Sequence, residues 1–226
     1  MSIFACHPLR ANFQLDLSPA FHVPVSVVDR VEKIWAAEQA RAKGDLVNGT
    51  IYSLVDFTAD RLVVQPCEYR VMLAQRRDES LKLGIRPLAV TGILLCRDGL
   101  VLGRRSDKVA TEAGLWEPSP AGGVSQPDTL AQLFEELVEE LGIRPAAILS
   151  VDICGLLEDC STQVFDLIYM LSTSMSGAEI SHSKLRASDE YDEIKIVPVD
   201  EIPSFINAQS VIPALNPMLK MAGLAL

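Results

Sequence analysis

Four glutamates, Glu135, Glu136, Glu139 and Glu140, crowd the last two turns of the helix predicted by the run LFEELVEELGI. Leu130, Leu133, Phe134, Leu137, Val138 and Leu141 recur at helical spacing as one apolar stripe, so this segment must lie against a core. Thr129 followed by Gln132 reads as a capping box at the start, and Gly142 as the left-handed residue that stops the helix. The acids stand where the helix dipole leaves partial negative charge and favours cations. Glu135/Glu139 and Glu136/Glu140 are also like charges at i,i+4, each pair unfavourable by about 0.2–0.5 kcal/mol. At about 100° per residue, Glu136, Glu139 and Glu140 lie together beside the stripe, while Glu135 falls on its other flank. Three carboxylates on one face want a counter-charge, and the residues just before them supply none. A divalent cation with hard oxygen ligands meets that need. The plainer alternative is a solvated acidic face.

The helix follows a Pro-punctuated segment, WEPSPAGGVSQPD, that contains Gly122-Gly123. Here the sequence resembles the Nudix hydrolase family, whose signature is G-x5-E-x7-R-E-U-x-E-E-x-G-U, U being a bulky aliphatic. Glu136, Leu137, Glu139, Glu140, Gly142 and Ile143 stand at the required spacing. Gly123 matches the opening glycine but lies two residues too close to the helix. The first glutamate is missing, with only Asp128 near its place, and Glu135 holds the arginine position, a reversal of charge. In the family that arginine orients the glutamate beside it, so its absence leaves open how Glu136 is held.

The flanks extend the likeness over roughly residues 86–210. PLAVTGILLC and LVLGRRS read as two strands around the turn RDG. AAILSVDICGLL and TQVFDLIYMLS read as strands after the box, followed by an acidic loop, SDEYDE, and then EIKIVPVDEIPSFI, similar to the family's last strand, loop and short helix. The resemblance implies an α/β/α sandwich with a mixed sheet, formed by a catalytic domain over 86–226. Residues 1–85 read as an α+β N-terminal extension. Ser26 would cap a helix, VVDRVEKIWAAEQARAK, with an apolar stripe of Val27, Val28, Val31, Ile34 and Trp35, ended by Gly44. TIYSLVDF and RLVVQP form a hairpin, and EYRVMLAQRRDESL another helix. The order of a Trp-bearing helix, NG-x-x-Y, a hairpin and Y-R-x-x-L-A is similar to Nudix proteins acting on UDP-sugars. A generic lid or homodimerising segment is the other reading.

A net charge of −10 disfavours binding to bare nucleic-acid backbone. No apolar stretch approaches the roughly 20 residues of a membrane-spanning helix, and MSIFACHPLRANFQ lacks the apolar centre of a signal peptide. Cys6, Cys67, Cys96, Cys154 and Cys160 include no C-x-x-C and read as reduced, small core residues of a cytoplasmic protein. His7, His22 and His182 show no zinc-ligand spacing.

An all-carboxylate site suits Mg²⁺, with Mn²⁺ as the alternative. A divalent ion neutralises a diphosphate, orients it and acidifies a bound water. Glu136, Glu139 and Glu140 are the expected ligands or the base, and the resemblance adds a backbone carbonyl at Gly122. Arg104 and Arg105 end a strand, and guanidinium forks suit phosphate oxygens. Strand alternation sends them to opposite faces, so only one is expected to touch substrate, and a surface salt bridge is the plainer reading of each. The resemblance implies Glu190 as an additional acid brought by the loop, with Glu193 second, and a merely solvated loop is the equal alternative. Trp116 reads as core rather than as a stacking platform. The expected substrate is a small nucleotide-linked molecule, in first place a nucleotide sugar such as UDP-glucose, giving UMP and a sugar 1-phosphate. The alternatives are an ADP-ribose or dinucleotide diphosphatase, or a catalytically weak module that binds a nucleotide ligand. An isopentenyl diphosphate isomerase is disfavoured, because the cysteine motif of that family is not evident.

Overall fold

The computed structural model describes residues 3–109, 111–184 and 190–224. Strands β1 (Phe4–His7) and β2 (Gln14–Leu17) lead into helix α1 (Val28–Arg41), the strands β3 (Thr50–Thr58) and β4 (Arg61–Glu68), and α2 (Tyr69–Arg77). The next elements are β5 (Leu88–Cys96), β6 (Gly99–Arg105), the short β7 (Trp116–Pro118) and β8 (Ala121–Gly123), and α3 (Thr129–Leu141). They are followed by β9 (Ile148–Asp159), β10 (Val164–Thr173), α4 (Gly177–Lys184), β11 (Tyr191–Val197), α5 (Ile202–Ala208) and α6 (Leu215–Met221).

The main sheet runs β1-β9-β10-β5-β6-β11, with β7 on β6 and β8 on β5. It is mixed: β10 pairs parallel with β5, whereas β9 with β10, β5 with β6, and β6 with β11 are antiparallel. The period of two along each strand divides the apolar residues between its faces. Val90, Leu94, Leu167 and Leu171 pack with Leu133, Leu137 and Leu141 of α3. Ile93, Leu100, Leu102 and Ile168 pack on the opposite side with Ile202 and Phe205 of α5 and Leu215 and Leu219 of α6. The result is the expected α/β/α sandwich around a mixed sheet.

The extension is woven into this body. β1 pairs antiparallel with β9, Phe4 opposite Asp159 and His7 opposite Leu156. A second sheet, β2-β4-β3, sends Tyr52, Leu54, Leu62 and Val64 into the α3-side core. Val31 of α1 and Val71, Met72 and Ala74 of α2 form a third cluster with Leu81 and Ile85. Glu38, buried between Arg41 and Arg77, adds an ion-paired tie between α1 and α2. Ser26 does not cap α1: it lies in a single 3-10 turn, Val25–Val27, and the helix start has no side-chain cap bond. Among the described residues no helix is long and apolar enough to cross a membrane. The cysteines are free; Cys67 and Cys96 are buried as expected, but Cys6 and Cys160 are exposed.

Helix α3 corrects the sequence reading in two ways. Its N-cap is Asp128, whose side chain accepts from the Ala131 N–H at 3.0 Å; Thr129 is the first helical residue and bonds Tyr169 instead. The helix is also turned about its axis relative to the apolar stripe. Thr129, Gln132 and Glu140 are buried with Leu133, Leu137 and Leu141, while Leu130 and Val138 are 40% and 44% exposed. Polar partners across the chain cause the turn, since hydrogen bonding removes most of the cost of burying those three side chains. Gly142 ends the helix as expected, with φ of 65°.

Candidate active site

The acids of α3 do not share one environment. Glu140 has no exposed surface. It accepts from Ser119 Oγ at 2.8 Å and from the Ala121 N–H at 3.2 and 3.3 Å, which docks the end of α3 on β8. Glu136 is half-buried and lies against Gly122, where an added Cβ would sit 2.2 Å from its Oε1. Only glycine lets the backbone of β8 approach that carboxylate so closely. Glu139 and Glu135 are both exposed. The expected trio is therefore split, with Glu136 and Glu140 turned to the glycine strand and Glu139 towards solvent.

The two arginines at the end of β6 part as alternation requires. Arg105 turns inward and pairs with Glu117 of β7, and its Nη1 lies 3.7 Å from Glu190 Oε1. Tyr191 donates its hydroxyl to the same Glu117 oxygen at 3.0 Å. Arg104 turns out and meets Glu193 at 3.3 Å, with half of the Glu193 side chain exposed. Ser188 and Asp189 of the acidic segment lie outside the described residues, and Tyr191–Glu193 belong to β11 rather than to a loop. Trp116 is core, packed edge-to-face on Phe205 at 5.4 Å between ring centroids.

The charge balance of this cluster is lopsided. Burial, with Glu139, Glu190 and Glu135 adding to it, pushes Glu136 up to about 7 against the bond from Gln132. Burial and then the charge of Glu190 hold Glu140 well above the usual carboxylate range. Burial also lifts Glu117 to about 7, opposed by Arg105 and Tyr191. Glu117 and Glu190 thus share the half-buried Arg105 guanidinium, and Glu190 also weighs on Glu136 and Glu140. Exposed Glu135 contributes little: Glu135→Gln is expected to keep kcat within about threefold, because solvent screens its charge. A loss of about a hundredfold or more, the scale of a lost general base, would contradict this placement.

A cleft of about 1250 Å³ opens beside the cluster, lined by Thr91, Arg105, Glu117, Gly122, Asp166 and Glu190 among others. The extension supplies Gln75, Arg76, Glu79 and Lys82 to its wall. Glu136, Glu139 and Glu140 do not line it; Gly122 is where the cleft and Glu136 meet. Asp166, on β10, takes a bond from Thr91 at 2.7 Å, and its buried Oδ1 has no partner among the described residues. Burial raises its carboxyl to about 7. Sequence reasoning missed Glu117, Gln132, Asp166 and Tyr191. Only Gln132 carried a signal, its i,i+4 spacing from Glu136, and that was absorbed into the capping box.

Among the described residues no group of three or more His, Cys, Asp or Glu surrounds a common metal position. The donor chemistry nevertheless fits a hard cation at one place. Glu136 and Glu140 flank the Ala121–Gly122 edge as oxygen donors whose ionised forms a cation would favour, and the missing side chain of Gly122 leaves its backbone open to Glu136.

No family model and no curated protein matches the chain. Solved structures do resemble it over about three-fifths of its length. Protein DR0079 from Deinococcus radiodurans is 17% identical, with a TM-score of 0.48, over 59% of this chain and 81% of that one. The MutT protein from Methanosarcina mazei Go1 is 22% identical, with a TM-score of 0.46, over 61% and 93%. The NUDIX domain of Shewanella oneidensis NrtR, solved with ADP ribose, is 14% identical, with a TM-score of 0.45, over 60% and 85%. These are low-identity likenesses of shape, and none assigns an activity to this chain.

Proposed function

We propose that this chain is a Nudix-type hydrolase that cleaves the diphosphate bond of a nucleoside diphosphate linked to another group. One observation carries the reading: the glutamates that match the signature, Glu136 and Glu140, dock on the glycine strand that the signature also requires. Glu136 is the working acid, held half-buried where it can take a proton. Glu140 with Ser119 and Ala121 fixes the end of α3 to β8. Arg105 places one guanidinium on the cleft wall for a phosphate oxygen, and Glu117 and Glu190 hold it there. Mg²⁺, or Mn²⁺ in its place, would be held by Glu136, Glu140 and the Gly122 carbonyl, and would supply neutralisation of the diphosphate and a more acidic water.

A nucleotide sugar such as UDP-glucose is the proposed substrate, with UMP and a sugar 1-phosphate as products. Support comes from the order of motifs in residues 1–85 and from the residues that this segment gives the cleft wall. The test is a panel of nucleotide sugars, ADP-ribose and dinucleotides with Mg²⁺ and product identification. Preference for ADP-ribose or a dinucleotide would keep the reaction and replace the substrate. A second reading, a nucleotide-ligand binding module, draws on the exposure of Glu139 and the absence of a three-acid grouping among the described residues. Binding of the panel without turnover would favour it.

Cation linkage gives a check without substrate. Relief of carboxylate crowding should let Mg²⁺ raise Tm in a concentration-dependent way, through a stabilisation of about 2.7 kcal/mol at a hundredfold excess over Kd. The triple change of Glu136, Glu139 and Glu140 to Gln should abolish the rise. An unchanged rise would put the ion elsewhere.

A further inference from the structure

We infer that Gln132, held by Ser125, is the positioning residue that aims Glu136. The inference rests on the reading of Glu136 as the working acid, and it answers how that acid is held when Glu135 stands where the family has a cation. The backbone N–H of Ser125 donates to Gln132 Oε1 at 3.1 Å, and the Ser125 hydroxyl donates to the same oxygen at 2.8 Å. A backbone N–H can only donate, so the amide oxygen of Gln132 must face Ser125 and its nitrogen must face away. That nitrogen donates to Glu136 Oε1 at 2.7 Å. Gln132 is only 5% exposed, so water offers little competition for either bond.

Glu136 thus stands between two fixed features. On one side is an amide whose orientation Ser125 dictates, and on the other is the bare backbone of Gly122. Among the described residues, Oε2 of Glu136 takes no hydrogen bond, so one oxygen is tethered and the other is left for chemistry. The spacing is i,i+4 on the inward face of α3, where the two side chains meet naturally. A buried glutamine is stable here because both ends of its amide are satisfied. Its capture by Ser125 also explains why Gln132 does not serve the helix cap.

The deciding variant is Gln132→Glu. It keeps an acceptor for Ser125 while replacing the amide donor with a like charge beside Glu136. It should lower kcat by about 10–100-fold, the usual scale for a group that orients a working ligand, with KM little changed. Ser125→Ala should move kcat in the same direction by less. In a Glu136→Gln background, Gln132→Glu should have almost no further effect, since the pair acts as one unit. Unchanged kcat for Gln132→Glu, or an equal loss in both backgrounds, overturns the inference. If the wild-type protein hydrolyses nothing in the panel, the proposed function fails separately. The inference is then judged by a crystal structure of Gln132→Leu: Glu136 swung off Gly122 supports it, and Glu136 unmoved overturns it.

Discussion

Glu136→Gln is expected to lower kcat by about 10²–10⁴-fold, the scale of a lost general base. The substitution keeps the side chain's shape and still offers an oxygen to Gln132, but it removes the charge and the proton-accepting oxygen. Stability should hold or rise slightly. Glu136 is a half-buried acid whose ionised form is disfavoured by burial and then by Glu139, Glu190 and Glu135. Neutralising it removes that opposition. Rates on the preferred substrate together with Tm check both halves. A variant with near-normal kcat would exclude Glu136 as the working acid, and a collapsed Tm would make its role one of folding.

The largest effect on stability is expected at Arg105. Arg105→Met keeps bulk but strips Glu117 of the cation it pairs with among the described residues, in a site where the Glu117 side chain is 7% exposed. Removing one partner of a buried ion pair typically costs about 3–5 kcal/mol. The cost should depend on pH, and its sign follows from protonation. Glu117 is raised from 4.5 to about 7 with Arg105 present, and without the arginine it must rise further. Between the unfolded and folded values the folded state holds a proton that the unfolded state has released. Stability therefore falls by about 1.4 kcal/mol per pH unit over that range. In the wild type this fall ends near pH 7, where the folded Glu117 ionises beside Arg105. In the variant it continues upward. Denaturant melts should show a larger penalty at pH 8.5 than at pH 6. An equal or reversed penalty would mean that Glu117 does not depend on Arg105 for its charge.

Much of the fold was written in local periodicity. The β5–β6 hairpin, β9, β10 and α3 each carry enough alternating or helical pattern to be read alone. β1 was not legible, since four residues, FACH, hold nothing that names Asp159 as the partner of Phe4. The short β7 and β8 and helix α4, GAEISHSK, carry too little pattern to stand out.

The site shows the same division. Signature spacing singled out Glu136 and Glu140, which lie against β8, and strand alternation separated Arg104 from Arg105. The rotation of α3 was beyond reach, because a helical wheel weighs only the helix's own side chains. Ser119, Ala121 and Tyr169, which let Glu140 and Thr129 be buried, come from other elements. Glu139 was grouped with its neighbours for that reason, and Gln132 was assigned to a cap for the same one.

The most direct test of the central claim is hydrolysis of UDP-glucose and the rest of the nucleotide panel by wild type and Glu136→Gln, with Mg²⁺ present or chelated and products identified by ³¹P NMR. Mg²⁺-dependent cleavage between the two phosphorus atoms is expected, yielding a nucleoside monophosphate and a second phosphomonoester, with near-total loss in Glu136→Gln. Cleavage unaffected by chelation or by Glu136→Gln, or no cleavage of any nucleotide-linked diphosphate, would contradict that claim.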